Sequence, residues 1–425
     1  MTYSLEELSQ GLDSLWIGIA AILVFWMQAG FAMLESGGVR RKNTQNILFK
    51  NFIDICITTI LWWLLGYGMA YGTGEFIGGD KFNTDDYAAT DYRDWLFQWA
   101  FAGTTMTIVS GCMAERTTIH GYLILTIVMN LLIYPWIVHW TWGGDWLSEG
   151  GFTDFAGSGI VHLCGGIAGL VGAIIVGSRK GRFDNKVDQS KFNAHNIPLV
   201  VLGTFILWMG WYGFNGGSVL AIGGENEESV FIVMMNTTIS AVSAGITVCL
   251  VHGIMNYNTN NKYDVGLLCN GILAGLVSIT AGCDGVTDYG SFLIGIIGGL
   301  IYKASSDLLQ KLKIDDPIDA FPVHGMCGIW GVLSVGFFNT TDGVFYGGNG
   351  ELLGWQIAGV LSICAWSGGI MLLFTFILNR LNLLRVSEEV EKKGLDFSEH
   401  GGNAYDLCKE PLNPCLLYTS PSPRD

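Results

Sequence analysis

Apolar runs close to the ~20 residues that cross a bilayer recur along the whole chain, separated by short polar stretches. "LWIGIAAILVFWMQAGFAML" is the first of them and "WQIAGVLSICAWSGGIMLLFTFIL" the last. The pattern predicts eleven spanning helices, near 13–36, 45–71, 95–114, 119–140, 157–178, 196–220, 229–255, 264–283, 287–307, 321–339 and 353–380. Basic residues support that count. Arg40, Arg41 and Lys42 fall in loop 1–2, and Arg116 in loop 3–4. Arg179, Lys180, Arg182, Lys186 and Lys191 fall in loop 5–6, Lys262 in loop 7–8, and Lys311 and Lys313 in loop 9–10. The intervening loops hold only Lys81 and Arg93, among many acids. Positive charge gathers on the cytoplasmic side of membrane proteins, so the N-terminus is expected outside and the C-terminal tail inside.

Two of the runs share a finer pattern. In "DFAGSGIVHLCGGIAG" His162 is followed by Gly166 and Gly169, and in "DAFPVHGMCGIWG" His324 is followed by Gly328 and Gly331. Glycine thus recurs four and seven residues after each histidine, along one helix face. His162 lies on the fifth predicted helix and His324 on the tenth, which run in opposite directions. The expected fold is therefore an all-α polytopic membrane protein made of two inverted five-helix repeats plus a final helix. Inverted repeats place the substrate path near midplane, between the halves.

Composition agrees. Half of the 425 residues are hydrophobic and only 14% are charged, against ~25% in a soluble domain, so a soluble globular fold is excluded. The 59 glycines suit close helix contact in lipid. The ten cysteines form no CxxC pair, so neither a disulfide frame nor a zinc site is indicated. Cys164 and Cys327 stand near the histidines without a third ligand at suitable spacing, and no metal or cofactor is expected. The segment before the first run, "SLEELSQGLD", is acidic where a cleavable leader would be basic. The chain divides into an extracellular N-terminus (1–12), a membrane domain (13–380), a hydrophilic cytoplasmic tail (381–406), and a segment (407–425) whose altered composition reads as non-native.

An ionisable group deep in a bilayer points to function. Histidine is the mildest such group, because its neutral ring donates from one nitrogen and accepts at the other. Two facing imidazoles can satisfy each other and still line a narrow pore. That suits a small neutral molecule, and it excludes a bare cation, whose unpaired burial costs on the order of tens of kcal/mol. The plain alternative is that each histidine caps a carbonyl between helices. "HWTWGGDW" and "WMGWYGFNGGS" place aromatics toward the outer side. There they serve as interfacial anchors or bind a small cation by cation–π attraction, roughly 0.5–2 kcal/mol each. Ser218 could add an acceptor. Asp154 reads most simply as the N-cap of helix 5, and acids such as Glu225, Glu227 and Glu228 could gather cations.

These residues resemble the ammonium transporters of the Amt/Mep/Rh family, over about residues 10–406. "DFAGSGIVHLCGGIAGLVG", "DDPIDAFPVHGMCGIWG", "FQWAFAGTTMTIVSGCMAER", "WTWGG", "GWYGFNGGS" and the tail "LRVSEEVEKKGLD" carry the resemblance. It implies a homotrimer in the plasma membrane with one pore per subunit, and a transporter of ammonium and its analogue methylammonium, not an enzyme. By the same resemblance, Phe101, Trp142 and Ser218 form an outer recruitment site with Asp154 nearby. Phe101 and Phe214 form a stacked gate, and His162 and His324 are twin pore histidines. Trp142 with Ser218 favours the Amt branch over the Rh branch. Ser398 matches a phosphorylatable position of the tail, where a cytoplasmic regulator could act. No nucleic-acid partner is expected. A sensor and a membrane metalloenzyme are the rival readings.

Overall fold

The computed structural model describes residues 4–224 and 226–405. Glu225 and the segment from 406 onward, which includes 407–425, lie outside the described residues. Among the described residues every regular element is helical, and the one β-contact is an isolated bridge between Thr117 and Arg385. The long helices, in chain order, are α1 (Leu5–Gly38), α2 (Arg41–Tyr71), α3 (Ala89–Met113), α4 (Ile119–Trp140) and α5 (Ser158–Val176). They continue with α6 (Ile197–Gly217), α7 (Asn226–Met255), α8 (Val265–Ile279), α9 (Asp288–Leu312), α10 (Phe321–Phe338) and α11 (Glu351–Arg380). Nine candidate membrane spans stand out among the described residues, at all of these helices except α3 and α8. α3 has the length but mixes Thr104, Thr105, Thr107 and Ser110 into its apolar face.

Several boundaries differ from the sequence expectation, among them the start of α3 at Ala89 and the end of α9 at Leu312, and two have a clear physical reason. α1 begins at Leu5 because Ser4 and Glu7 form a capping box: the Ser4 hydroxyl accepts from Glu7 N, and the Glu7 carboxylate accepts from Ser4 N. Two of the orphan donors at the helix start are thereby satisfied. Most of segment 1–12 is thus helix. α8 stops at Ile279, short of the expected 283, because the chain turns to pair its backbone elsewhere. Phe155 N donates to Ala281 O at 2.9 Å and Ala156 N to Thr280 O at 3.1 Å. Non-helical backbone at membrane depth persists only where protein satisfies it in this way.

Two pairs of corresponding helices from the two halves meet. α1 packs along α6, and α5 crosses α10. At that crossing the backbones touch. A Cβ on Gly166 would stand 2.4 Å from Gly325 Cα, and one on Gly328 would stand 2.7 Å from Ser158 O. The glycines that follow each histidine therefore set the helix separation. Among the described residues four stretches wind as π-turns, and two of them, Ser158–Leu163 and Phe321–Met326, carry His162 and His324. π-turns occur often at functional sites.

The basic loops converge at one end. Buried Glu115 meets both Arg40 and Arg179, and Arg179 grips Asp315 with two nitrogens at 2.8 and 2.9 Å. Burial alone would raise the carboxyls of Glu115 and Asp315. The guanidinium charges outweigh it and hold both below the usual carboxylate range. Loops 1–2, 3–4, 5–6 and 9–10 are thereby tied into one face. The segment after α11 folds back onto that face. Lys42 Nζ donates to the carbonyls of Glu391 and Lys392, Leu395 N donates to Asn43 Oδ1, and buried Asp396 accepts from Asn46 N at 2.9 Å.

Candidate functional site

From the opposite end a column of side chains descends between the halves. Trp142 sits in the turn that closes α4, where its indole nitrogen donates to the Asp154 carbonyl at 2.8 Å. Ser218 caps the end of α6, and its hydroxyl donates to Phe214 O at 2.7 Å. That bond leaves the oxygen's lone pairs free to accept. Trp142, Ser218 and Phe101 line a cavity of ≈330 Å³ together with Tyr71 and Gln98. Two polar atoms among these, Tyr71 OH and Gln98 Oε1, have no partner.

The Phe101 and Phe214 rings close the cavity floor. Their centroids are 4.2 Å apart at 35°, and both rings are buried. The Trp142 ring meets Phe101 edge-on at 5.7 Å. Directly beneath, His162 stacks on Phe214 at 5.3 Å and on Trp211 at 5.2 Å. Trp211 is no interfacial anchor. It is fully buried, with its indole nitrogen donating to Thr280 Oγ1 at 2.9 Å.

His162 and His324 face each other with Nδ1 atoms 3.2 Å apart and ring centroids 5.1 Å apart. One Nδ1 must donate and the other accept, so two neutral rings must hold different tautomers. The outward Nε2 of His162 is buried and without a partner. It is a ready contact for a small polar molecule. Phe31 flanks His324 from α1 at 6.0 Å.

Asp154 does more than cap one amide. Its Oδ1 accepts from the N–H groups of Gly157 and Ser158, and its Oδ2 from those of Gly159 and Ile160, all at 2.8–2.9 Å. All four orphan donors of the α5 start are thereby satisfied by one side chain. Asp316 repeats the arrangement more loosely at α10, accepting from Phe321 N at 2.7 Å and Ile318 N at 3.4 Å. Each aspartate stands eight residues before its histidine, a signal the sequence carried beside the glycine pattern. Ser398 lies apart from the column, exposed on the Leu395–His400 helix. Among the described residues no cluster of three or more His, Cys, Asp or Glu side chains could hold a metal ion.

A bundle of long apolar helices, with an aromatic-floored cavity above a buried histidine pair, defines a multi-pass membrane protein with polar groups buried in its interior. The sequence profile of the Ammonium Transporter Family matches residues 15–405, and the chain belongs to that family. Ammonium transporter 3 of Dictyostelium discoideum is 39% identical over 420 residues, covering 95% of each chain. Among solved structures, a protein described as a sensor Amt protein superposes with a TM-score of 0.86 at 36% identity, over 93% of this chain and 100% of its own. Mep2 of Candida albicans superposes at 0.82 with 28% identity, over 95% of each chain.

Proposed function

We propose that this chain recruits ammonium from outside the cell, strips it of a proton, and conducts ammonia between the two histidines to the cytoplasm. The continuous column from Trp142 and Ser218, through Phe101 and Phe214, to His162 and His324 carries the reading. Ammonium docks on the Trp142 face by cation–π attraction and donates to the Ser218 oxygen. The buried phenyl pair offers nothing to replace its hydration, so entry as a cation would cost on the order of tens of kcal/mol. The proton is left with water in the outer cavity. Ammonia then donates to the bare nitrogen of one imidazole and accepts from the N–H of the other.

The converged basic loops belong on the cytoplasmic side by charge, which puts Trp142 outside in the plasma membrane. All eleven helices cross in this reading, three subunits assemble, and each keeps its own pore. Methylammonium uptake by cells lacking their own transporters tests the function. Uptake that is absent despite normal surface expression would favour a sensor, the role named for one structural neighbour.

Trp142→Leu removes the cation–π share, ~0.5–2 kcal/mol, together with the indole hydrogen bond to the Asp154 carbonyl, and should weaken capture several-fold. The loss should appear at low ammonium and vanish at saturation. Unchanged uptake at low concentration would take Trp142 out of the site. In the tail, a phosphate on Ser398 would add about −1.5 to −2 charges one residue from Glu399 and two from Asp396, whose carboxylate caps Asn46. Ser398→Asp should therefore loosen the docked tail and lower uptake, with Ser398→Ala unaffected. Equal uptake by all three chains would count against a switch here.

A further inference from the structure

Below His324 the column meets a group that the mechanism above leaves unused. Glu35, on α1 one turn beyond Phe31, is 0% exposed. Together with Phe31 and His324 it lines a cavity of ≈10 Å³, room for one molecule the size of water or ammonia. Leu34, Asn270 and Ile318 line this cavity and also a wider one of ≈490 Å³ that reaches Arg179, Asp264 and Asp319 on the basic face. Glu35 thus stands between the histidine pair and the inner mouth.

Its surroundings are those of a carboxyl that exchanges a proton. Ser110 Oγ donates to Oε2 at 3.1 Å, and Asn51 Nδ2 reaches the same oxygen at 3.4 Å. Thr107 Oγ1 lies 3.4 Å from Oε1, but its single hydrogen is better placed on Asn51 Oδ1 at 2.9 Å. Oε1 is therefore left facing a hydroxyl that can accept, with room for a proton of its own. Among the described residues no salt bridge involves Glu35. Two buried charged side chains of α2, Lys50 and Asp54, act on Glu35 only at a distance, the Lys50 Nζ donating to Thr117 O at 2.9 Å. A buried carboxylate without a cation in contact is costly until one joins it, so its ionisation is coupled to a cation's arrival.

We propose that Glu35 is an inner proton-exchange site: it protonates ammonia that has passed His324 and holds the resulting ammonium until it leaves. This rests on the transport reading above. The Glu35 O–H bond breaks and its proton moves to the ammonia lone pair, which yields ammonium paired with the Glu35 carboxylate. The ammonium departs through the wider cavity, and a proton from cytoplasmic water reloads Oε1. In the reverse direction the carboxylate is the acceptor that admits ammonium from the cytoplasm.

Side-specific kinetics in vesicles of known protein orientation test it. Glu35→Gln keeps size and hydrogen-bonding capacity but cannot give up a proton. It should raise the half-saturating ammonium for transport from the cytoplasmic side about tenfold or more, the worth of one charge-assisted hydrogen bond. The half-saturating concentration from the outer side should stay at the wild-type value. Glu35→Asp, still an acid, should restore much of the inner-side affinity. If Glu35 serves only to tie α1 to Asn51, Thr107 and Ser110, both sides lose transport alike, together with thermal stability, and the proposal is overturned. Wild-type kinetics on both sides overturn it too. If Glu35→Gln does not reach the membrane, Glu35→Asp carries the same test, with a smaller inner-side shift expected and an equal change on both sides overturning the proposal. Vesicles in which the wild type itself moves no ammonium would count against the transport reading, not against Glu35 alone.

Discussion

His324→Glu should let potassium through the pore. In the wild-type column nothing between Phe214 and His324 offers a fixed charge. His162 gives one nitrogen to its partner ring and has an unpartnered Nε2, and its other neighbours are the rings of Phe214 and Trp211. A carboxylate at either histidine would attract a monovalent cation about 4 Å away by ~4 kcal/mol at an effective dielectric constant of 20. That attraction offsets part of the desolvation cost a bare cation meets here and raises its occupancy over wild type by roughly two to three orders of magnitude. Potassium uptake should then accompany ammonium uptake in His324→Glu, and likewise in His162→Asp. His324→Phe should keep assembly and potassium exclusion while slowing ammonium, because the polar stepping point is gone. If the histidines only hold helices together, each substitution lowers yield and thermal stability and the residual transport stays selective. Yield, ammonium uptake and potassium uptake on the same preparations separate these outcomes, and potassium exclusion in a well-expressed carboxylate variant would sink the pore-pair reading.

The helices were legible because their signal is local: runs of apolar residues set off by glycine and charge. Ends were legible only where the stop signal was also local. The Ser4 and Glu7 box opens α1 within four residues, yet its polar sequence reads equally well as a loop. The end of α8 depends on Phe155 and Ala156, more than 120 positions earlier, and no window of sequence holds that information. The same division runs through the site. His162 and His324 were visible because each sits in a matched glycine frame. Trp211 lay in a quoted stretch, "WMGWYGFNGGS", but at helical spacing it looked no different from an interfacial anchor, and only the fold sets it against His162. Glu35 was hidden further. Its partners Asn51, Thr107 and Ser110 stand on two other helices, and a glutamate near a helix end followed by "SGGVRRKN" reads as the edge of the membrane. Asp316 shared an offset with Asp154 but was masked by Asp315 and Asp319 beside it.

Removing the Asp154 carboxylate should cost more than any other single change in the column. Asp154→Ala would leave the N–H groups of Gly157, Ser158, Gly159 and Ile160 without an acceptor in a buried place. Each such orphan costs about 1–3 kcal/mol, and local relaxation would recover only part of a total on the order of 5 kcal/mol. The damage would spread in both directions along the column. Trp142 is positioned by the carbonyl of the same residue, and His162 lies within the π-turn that these four amides begin. Thermal stability and uptake should therefore fall together, with uptake near background. Asp154→Asn keeps one acceptor oxygen for two of the donors but turns an NH₂ group toward the other two, so it should fall between wild type and Asp154→Ala. Asp316 offers an internal comparison, since it holds only two amides and one of them at 3.4 Å. Asp316→Ala should lose less stability than Asp154→Ala, in proportion to the donors released. Melting temperature in detergent and uptake in vesicles check the order, and an Asp154→Ala protein with wild-type values of both would show that the helix start is held by something other than this carboxylate.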